Sequence, residues 1–158
     1  MRPLQLKLTG INSYREEQII DFETLTSQGL FGIFGPTGSG KSSILDAMTL
    51  ALYAKLPRDT KNFINTNEKK ANVSFLFSIT TDKTRKYLAE RSFRYHTGNN
   101  ASTVRNTTGR LILYEGDTET VLADKPTEVT NECIRLLGLT SEDFMRTVVL
   151  PQGQFSEF

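Results

Sequence analysis

A glycine-rich stretch, GPTGSGKS at residues 35–42, constrains the fold of this chain more than any other feature of its sequence. It fits the pattern G-x-x-x-x-G-K-[ST] and stands between an apolar run at residues 30–34 and a segment with helical spacing. Glycine lets the backbone turn tightly, so that successive amides of such a loop can wrap a phosphate. The stretch therefore predicts a buried strand, a phosphate-binding loop and a helix, in that order.

The residue types of the loop suit a nucleoside triphosphate. Lys41 would place a compact cation near the β- and γ-phosphates, and Ser42 would put its hydroxyl on the Mg²⁺ that bridges them. Ser43 is a further candidate donor at the helix N-terminus, where unpaired amides and the helix dipole favour an anion. The predicted nucleotide-binding residues of the loop are Gly35, Pro36, Thr37, Gly38, Ser39, Gly40, Lys41 and Ser42. The alternative is a glycine-rich turn with an exposed lysine, and the flanking strand and helix favour phosphate binding.

Composition indicates one soluble, intracellular domain. The 158 residues can bury one core, and 37% of them are hydrophobic and 23% charged, as is common in globular proteins. A net charge of +1 neither favours nor opposes nucleic-acid binding. The single cysteine, Cys133, fits a reducing cytosol and is interpreted as a small apolar residue on a helix. We expect no membrane span and no signal peptide, because no apolar run is long enough.

Alternating apolar residues predict a sheet built largely from hairpins. The predicted strands, besides the run at 30–34, lie at residues 4–8, 18–22, 73–79, 84–95, 110–115, 118–123 and 146–151. Stretches 56–72 and 96–109 are mostly polar, and we predict loops there, the second of them mobile.

Three helices are predicted from apolar spacing and end signals. The first spans about 42–56, is packed on most sides and is stopped by Pro57. The second has Pro126 near its first position and Gly138 just past its end, and a short third helix has Thr140 as its candidate N-cap.

A carboxylate that completes the Mg²⁺ shell is missing from these predictions. Phosphate-loop hydrolases place such a group at the end of an apolar strand. Glu115 and Asp82 are the candidates, but each stands in or beside a predicted turn, which favours an exposed surface position. We therefore expect that the required carboxylate lies outside these 158 residues.

Basic residues cluster on the predicted strand at 84–95, where phosphate contacts with DNA are conceivable. Period-two geometry places Lys86 and Arg94 on one face of this strand and Arg85 and Arg91 on the other, so the four do not form one stripe. A solvated hairpin is therefore the favoured interpretation, and packing explains the neighbouring aromatic residues equally well. Further basic residues near in sequence are Lys69, Lys70, Arg105 and Arg110.

Three segments carry a family resemblance: LTGINSY at 8–14, GPTGSGKSSILDAMTLALYAKLPR at 35–58 and VVLPQGQF at 148–155. With them the chain resembles the N-terminal part of the SbcC family of DNA-repair ATPases, in the SMC-like branch of the ABC-type ATPases. The resemblance implies an α/β P-loop NTPase fold, with parallel core strands around the loop helix and an antiparallel hairpin sheet. Residues 1–158 would be the N-terminal half of a split ATPase head. The coiled coil, the Walker B carboxylates and the signature loop would lie in sequence outside this chain.

The resemblance also assigns site residues. Lys41 and Ser42 match the Walker A loop, and Gln152 matches the Q-loop glutamine, a catalytic group that contacts Mg²⁺ or the attacking water. Asn12 and Ser13 match a segment near the nucleotide, although some relatives have arginine at the position of Asn12. Thr37 replaces an asparagine common among relatives.

The function implied by the resemblance is that of an ATP-binding subunit of a DNA double-strand-break nuclease complex in the cytoplasm, at the nucleoid. ATP and Mg²⁺ would close a homodimer of heads and gate the access of double-stranded DNA to an SbcD-type nuclease subunit. The chain alone would be inactive and would aggregate or pair with another chain. The alternatives are a self-contained P-loop kinase, expected to show parallel βα repeats, and a regulatory domain that only binds nucleotide.

Overall fold

The computed structural model describes residues 1–26, 32–56, 62–97 and 102–147. Within them a six-stranded antiparallel sheet has the order β2-β1-β3-β4-β5-β6. The strands are β1 (Arg2–Thr9), β2 (Gln18–Asp21), β3 (Lys70–Thr80), β4 (Thr84–Thr97), β5 (Ser102–Glu115) and β6 (Thr118–Ala123). The helices are α1 (Phe22–Leu25), α2 (Lys41–Tyr53), α3 (Pro126–Leu137) and α4 (Ser141–Thr147). This arrangement is mixed α/β, as predicted.

One face of the sheet forms the core with the helices. Leu6 and Leu8 of β1 and Phe75 and Phe77 of β3 are fully buried on this face. Alternate residues of the strands point the other way, to a face that we call the polar face; Lys7, Ser74, Glu90 and Arg110 lie in one row across it. Two-residue periodicity therefore separates an apolar core from a polar surface, as the alternation in β1 predicts.

All three predicted hairpins are present. β1 pairs with β2, β3 with β4 through the turn that follows Thr80, and β5 with β6 through Gly116 in a left-handed conformation. Helix α3 begins at Pro126 and is followed by Gly138, which has a φ of 67°. Thr140 and Asp143 bond each other's backbone amides at the start of α4, which confirms the predicted N-cap.

Helix α2 is packed on most sides, as predicted, since nine of its residues from Ser43 to Tyr53 are buried. Its end was predicted too late: the helix stops at Tyr53, and Ala54 adopts a left-handed conformation with a φ of 55°. The predicted strand at 146–151 is also wrong at its start, because Arg146 and Thr147 continue α4; the rest of that segment lies outside the described residues.

The predicted mobile loop at 96–109 is wrong over its described part. β4 continues to Thr97, and β5 begins at Ser102 and pairs with it from there. Tyr95 and Val104 stand opposite each other and pack on the core. The first part of β5 is polar in composition because one of its faces is solvated. It is nevertheless a strand because it pairs with β4.

The apolar segment before the glycine loop differs from its prediction. Residues 32–34 are not a strand, and Ile33 and Phe34 expose 41% and 92% of their surface. Residues 30 and 31 lie outside the described part. The parallel core strands implied by the resemblance are also absent among the described residues, where all strand pairs are antiparallel. The six strands pair with one another in an order that leaves residues 32–34 outside the sheet.

Candidate nucleotide-binding site

The glycine loop leads directly into α2. Gly38 and Gly40 have φ angles of 83° and 88°, in the left-handed region that favours glycine. Gly40 is the N-cap of α2 and has no side chain to cap the helix, and the first turn of α2 carries no acidic residue. The start of α2 therefore presents the positive end of a helix dipole at an exposed loop.

The Lys41 side chain lies across this loop. Its Nζ donates to the carbonyl oxygens of Gly35 and Pro36, both at 2.6 Å, and lies 3.4 Å from Ser39 Oγ. Ser42, next in the chain, is exposed. The ammonium group is thus held at the loop, where a bound phosphate would meet it.

A turn between β1 and β2 forms a wall beside the loop. A Cβ built on Gly40 would come within 2.9 Å of Ser13 Oγ and 2.8 Å of two ring carbons of Tyr14. Asn12 Nδ2 donates to Ser43 Oγ at 2.9 Å. The structure thus brings the predicted Asn12, Ser13 and Ser43 to the start of α2, and it adds Tyr14, which sequence reasoning missed.

The residues around the loop fit a triphosphate and Mg²⁺. In the described part of the chain, no atom beyond the two neighbouring residues lies within 4 Å of a Cβ built on Gly38, so the backbone is open there for close approach. Lys41 supplies a cation and Ser42 an exposed hydroxyl, which is an oxygen ligand of the kind Mg²⁺ accepts. Gln152, the other predicted Mg²⁺ contact, lies outside the described residues.

Glu115 and Asp82 lie at the other end of the sheet. Glu115 pairs with Lys83 at 2.6 Å and Asp82 with Arg85 at 2.8 Å, at the Thr80 end of β3. The turn between β1 and β2, beside the glycine loop, lies at the opposite end of β3, where Gly10 lies against the Lys70 carbonyl. Eleven residues of strand separate these ends by roughly 30 Å. Lys83 lowers the pKa of Glu115, as expected for an exposed ion pair.

Arg91, a predicted basic surface residue of β4, is instead 2% exposed. Its guanidinium donates to the carbonyls of Ala51 and Leu52 at the end of α2, and to Pro126 and Thr130 of α3. Burial lowers its pKa to about 10. Arg91 therefore joins the C-terminal end of α2 to α3 and is not a DNA contact.

A row of basic residues crosses three strands on the polar face. Lys70 stands opposite Arg94, and Arg94 stands opposite Arg105. All three side chains are exposed, and in the described part of the chain no carboxylate lies within 4 Å of them. We call these three residues the basic row. The prediction that β4 alone carries no basic stripe holds, but pairing between strands creates one.

The remaining predictions concern single residues and classes of site. Cys133 is buried on α3, as predicted, and burial raises the pKa of its thiol to about 12. Tyr87 and Phe93 pack in the core, Tyr87 on Phe77 at 5.6 Å and Phe93 on Phe63 at 5.1 Å. Within the described ranges, no group of three or more histidine, cysteine or acidic residues could hold a metal ion, and no helix is long and apolar enough to cross a membrane.

The fold and the loop define a P-loop nucleotide-binding domain of the α/β type. The chain belongs to the AAA domain family, whose model matches residues 5–158. It is 48% identical over 158 residues to SbcC, a subunit of the nuclease SbcCD, from Clostridium acetobutylicum, and 50% identical over 161 residues to SbcC from Bacillus subtilis. It is also 35% identical over 163 residues to a probable DNA double-strand break repair Rad50 ATPase of Aquifex aeolicus.

These matches cover 100% of this chain but only 13%, 14% and 15% of the three relatives. The chain therefore corresponds to a small part of much longer proteins. The resemblance to the SbcC family is confirmed, and so is the P-loop NTPase fold.

Proposed function

We propose that this chain is the P-loop half of an ATPase head in a nuclease complex that processes double-strand breaks in DNA. The observation that carries the proposal is the loop at 35–42, seated against the turn of Asn12 and Tyr14, in a chain about half identical to SbcC of the nuclease SbcCD. The relatives' names denote a nuclease subunit and a double-strand break repair ATPase.

In this proposal the loop binds ATP. Its backbone amides and the start of α2 bind the phosphates, and Lys41 moves its ammonium from the Gly35 and Pro36 carbonyls to the phosphate oxygens. Ser42 would hold Mg²⁺, which neutralises charge on the β- and γ-phosphates. Gln152, Asn12 and Ser13 complete the proposed site, with Gln152 as a contact of Mg²⁺ or water.

The two candidate carboxylates predicted in this chain, Glu115 and Asp82, form ion pairs far from the loop and do not serve hydrolysis in this proposal. We therefore assign the carboxylate for hydrolysis to a C-terminal half of the same protein. A second copy of the head would close over ATP and gate the access of DNA to an SbcD-type nuclease subunit, in the cytoplasm at the nucleoid.

Double-stranded DNA would contact the basic row. Like charges placed directly opposite each other on a sheet destabilise it, and a phosphate backbone would relieve that repulsion. The kinase alternative gains no support from the fold, because the described strands form antiparallel hairpins rather than parallel βα repeats.

ATP binding and turnover by the full-length protein test the proposal. Lys41→Ala should abolish turnover and leave the circular-dichroism spectrum unchanged, whereas Lys55→Ala, just after the C-terminal end of α2, should leave turnover intact. The 158-residue chain should hydrolyse ATP only after its C-terminal counterpart is added. Rapid turnover by the 158 residues alone would contradict the split head.

A further inference from the structure

The conformation of the turn that walls the glycine loop depends on a distant segment, residues 62–65. Asn12 has a φ of 49°, in the left-handed region that asparagine enters more readily than most residues. Its amide donates to the Phe63 carbonyl at 2.7 Å. Ile11 forms a β-bridge with Ile64, so two consecutive residues of the turn are paired with this segment.

Asn65 completes this attachment. Its Nδ2 donates to the Asn12 carbonyl at 2.6 Å, and its backbone amide donates to the Gly10 carbonyl at 2.9 Å. Its Oδ1 accepts from the Asn67 amide at 2.9 Å, which orients the side chain. Asn65 thus bonds two carbonyls of the turn while its own side chain is held in place.

The bonds continue from the turn into α2. Asn12 Nδ2 donates to Ser43 Oγ, and the Ser43 side chain is buried in the first turn of the helix. Ser13 and Tyr14, which follow Asn12, stand against Gly40. A displacement of Asn12 would therefore reach both the start of α2 and the loop that precedes it.

We propose that Asn65 is a positioning residue of the nucleotide site, which acts through Asn12 to hold the glycine loop and the first turn of α2 in the geometry that binds phosphate. The proposal rests on the proposed ATP binding at residues 35–42. The Asn65 side chain bonds Asn12 and Asn67, so its effect on nucleotide affinity is transmitted through Asn12, which bonds both Asn65 and Ser43.

Two matched substitutions in the full-length protein test this role. Asn65→Asp keeps the acceptor for the Asn67 amide, and it replaces the amide donor to Asn12 with a charged oxygen. Asn67→Asp adds the same charge two residues away, where the exposed side chain can change without loss of the backbone bond to Asn65. Calorimetric titration with ATP and Mg²⁺ should show about fivefold to tenfold weaker binding for Asn65→Asp and less than a twofold change for Asn67→Asp.

A second variant shows whether the effect passes through Asn12. Asn12→Gly keeps the left-handed backbone and removes the amide that bonds Ser43. It should weaken ATP binding by a similar factor, and the double variant Asn12→Gly, Asn65→Asp should bind no more weakly than the weaker single variant. If Asn65→Asp does not fold, Asn65→Ala, which removes the donor to Asn12 without adding charge, is titrated with ATP in its place.

Three results would count against the proposal. Additive losses in the double variant would show that Asn65 does not act through Asn12. If Asn65→Asp lowers the melting temperature but leaves the ATP affinity unchanged, Asn65 has only a structural role. That result would overturn this inference but not the proposed function. Failure of the wild-type protein to bind ATP would overturn the proposed function itself.

Discussion

Gly40 lies against the ring of Tyr14, so closely that a Cβ on Gly40 would stand 2.8 Å from two ring carbons. Two separate constraints therefore favour glycine at the N-cap of α2, Gly40. Its φ of 88° is left-handed, and the wall beside it leaves no room for a side chain. Gly38 shares the first constraint but not the second, because among the described residues no atom beyond its chain neighbours lies within 4 Å of a Cβ built there.

The contrast between these glycines predicts different costs for alanine. Gly38→Ala should lower the free energy of unfolding by about 1 kcal/mol through backbone strain alone. Gly40→Ala should lower it by about 2–3 kcal/mol, because the Tyr14 ring or the loop must also move. Urea unfolding of the two variants measures the difference, and equal losses would show that the Tyr14 contact is unimportant.

The buried hydrogen bonds of Arg91 predict that substituting this residue greatly lowers the stability of the fold. Removing the Arg91 guanidinium takes away a donor from the Ala51 and Leu52 carbonyls in a buried setting. We expect Arg91→Ala to lower the free energy of unfolding by about 3 kcal/mol, measured by urea denaturation. Arg94→Ala is the matched control on the same strand, because the Arg94 side chain is exposed on the polar face; its effect should stay within about 0.5 kcal/mol. Equal effects would contradict this assignment.

Local patterns predict much of this fold. Alternation in β1, the turn at Gly116, and Pro126 and Gly138 at the two ends of α3 each act within a few residues, and each is found where it was predicted. The glycine loop and the helix after it are equally local features. They can be identified from sequence because their backbone requirements are met by the residues themselves.

The errors concern residues whose surroundings come from distant parts of the chain. Arg91 is buried because the end of α2, about forty positions earlier, offers it carbonyls. Tyr14 lies beside Gly40, and Asn65 bonds Asn12, although the members of each pair are far apart in sequence. Among the described residues, 32–34 have no strand beside them, so an apolar run alone did not make a buried strand. No local periodicity encodes such partners.

The basic row predicts an electrostatic contribution to DNA binding by the full-length protein. Arg94 is the central member, opposite both Lys70 and Arg105. Arg94→Ala should weaken binding to duplex DNA and reduce the slope of log affinity against log salt by about 1 for each phosphate that is no longer neutralised. Arg135→Ala, on α3 and paired with Glu132, is the control and should leave the slope unchanged. Identical slopes would exclude the row from the interface.

The exposed side chain of Phe34 predicts that the 158-residue chain associates with itself. The Phe34 side chain is 92% exposed and stands next to Ile33, which is 41% exposed. Exposed apolar clusters of this kind promote association. Phe34→Ser should raise the monomer fraction measured by light scattering, whereas Val121→Ser, on the edge strand β6, should raise it less. A wild-type chain that is monomeric at high concentration would contradict this prediction.

The ion pair between Glu142 and Lys55 predicts a contribution to stability that depends on pH. Glu142 accepts a hydrogen bond from Lys55, which follows α2. This bond connects α4 to the C-terminal end of α2. The Lys55 bond, the backbone amide of Glu142 and the Ser141 hydroxyl lower the pKa of Glu142 from 4.5 to about 2. A carboxyl whose pKa is lower in the folded state stabilises the fold above its unfolded pKa and loses this effect as the pH falls through its folded pKa.

Glu142→Gln should therefore lower the melting temperature by at most a few degrees between about pH 5 and pH 7, since the pair is exposed. The gap between wild type and variant should narrow steadily as the pH falls from about 4.5 towards 2, because protonation removes the same charge from the wild-type protein. Glu128→Gln is the control, since its partner Lys125 lies only three residues away and joins no second helix. Melting curves across this range measure the gap, and a gap that widens on acidification would contradict the assignment.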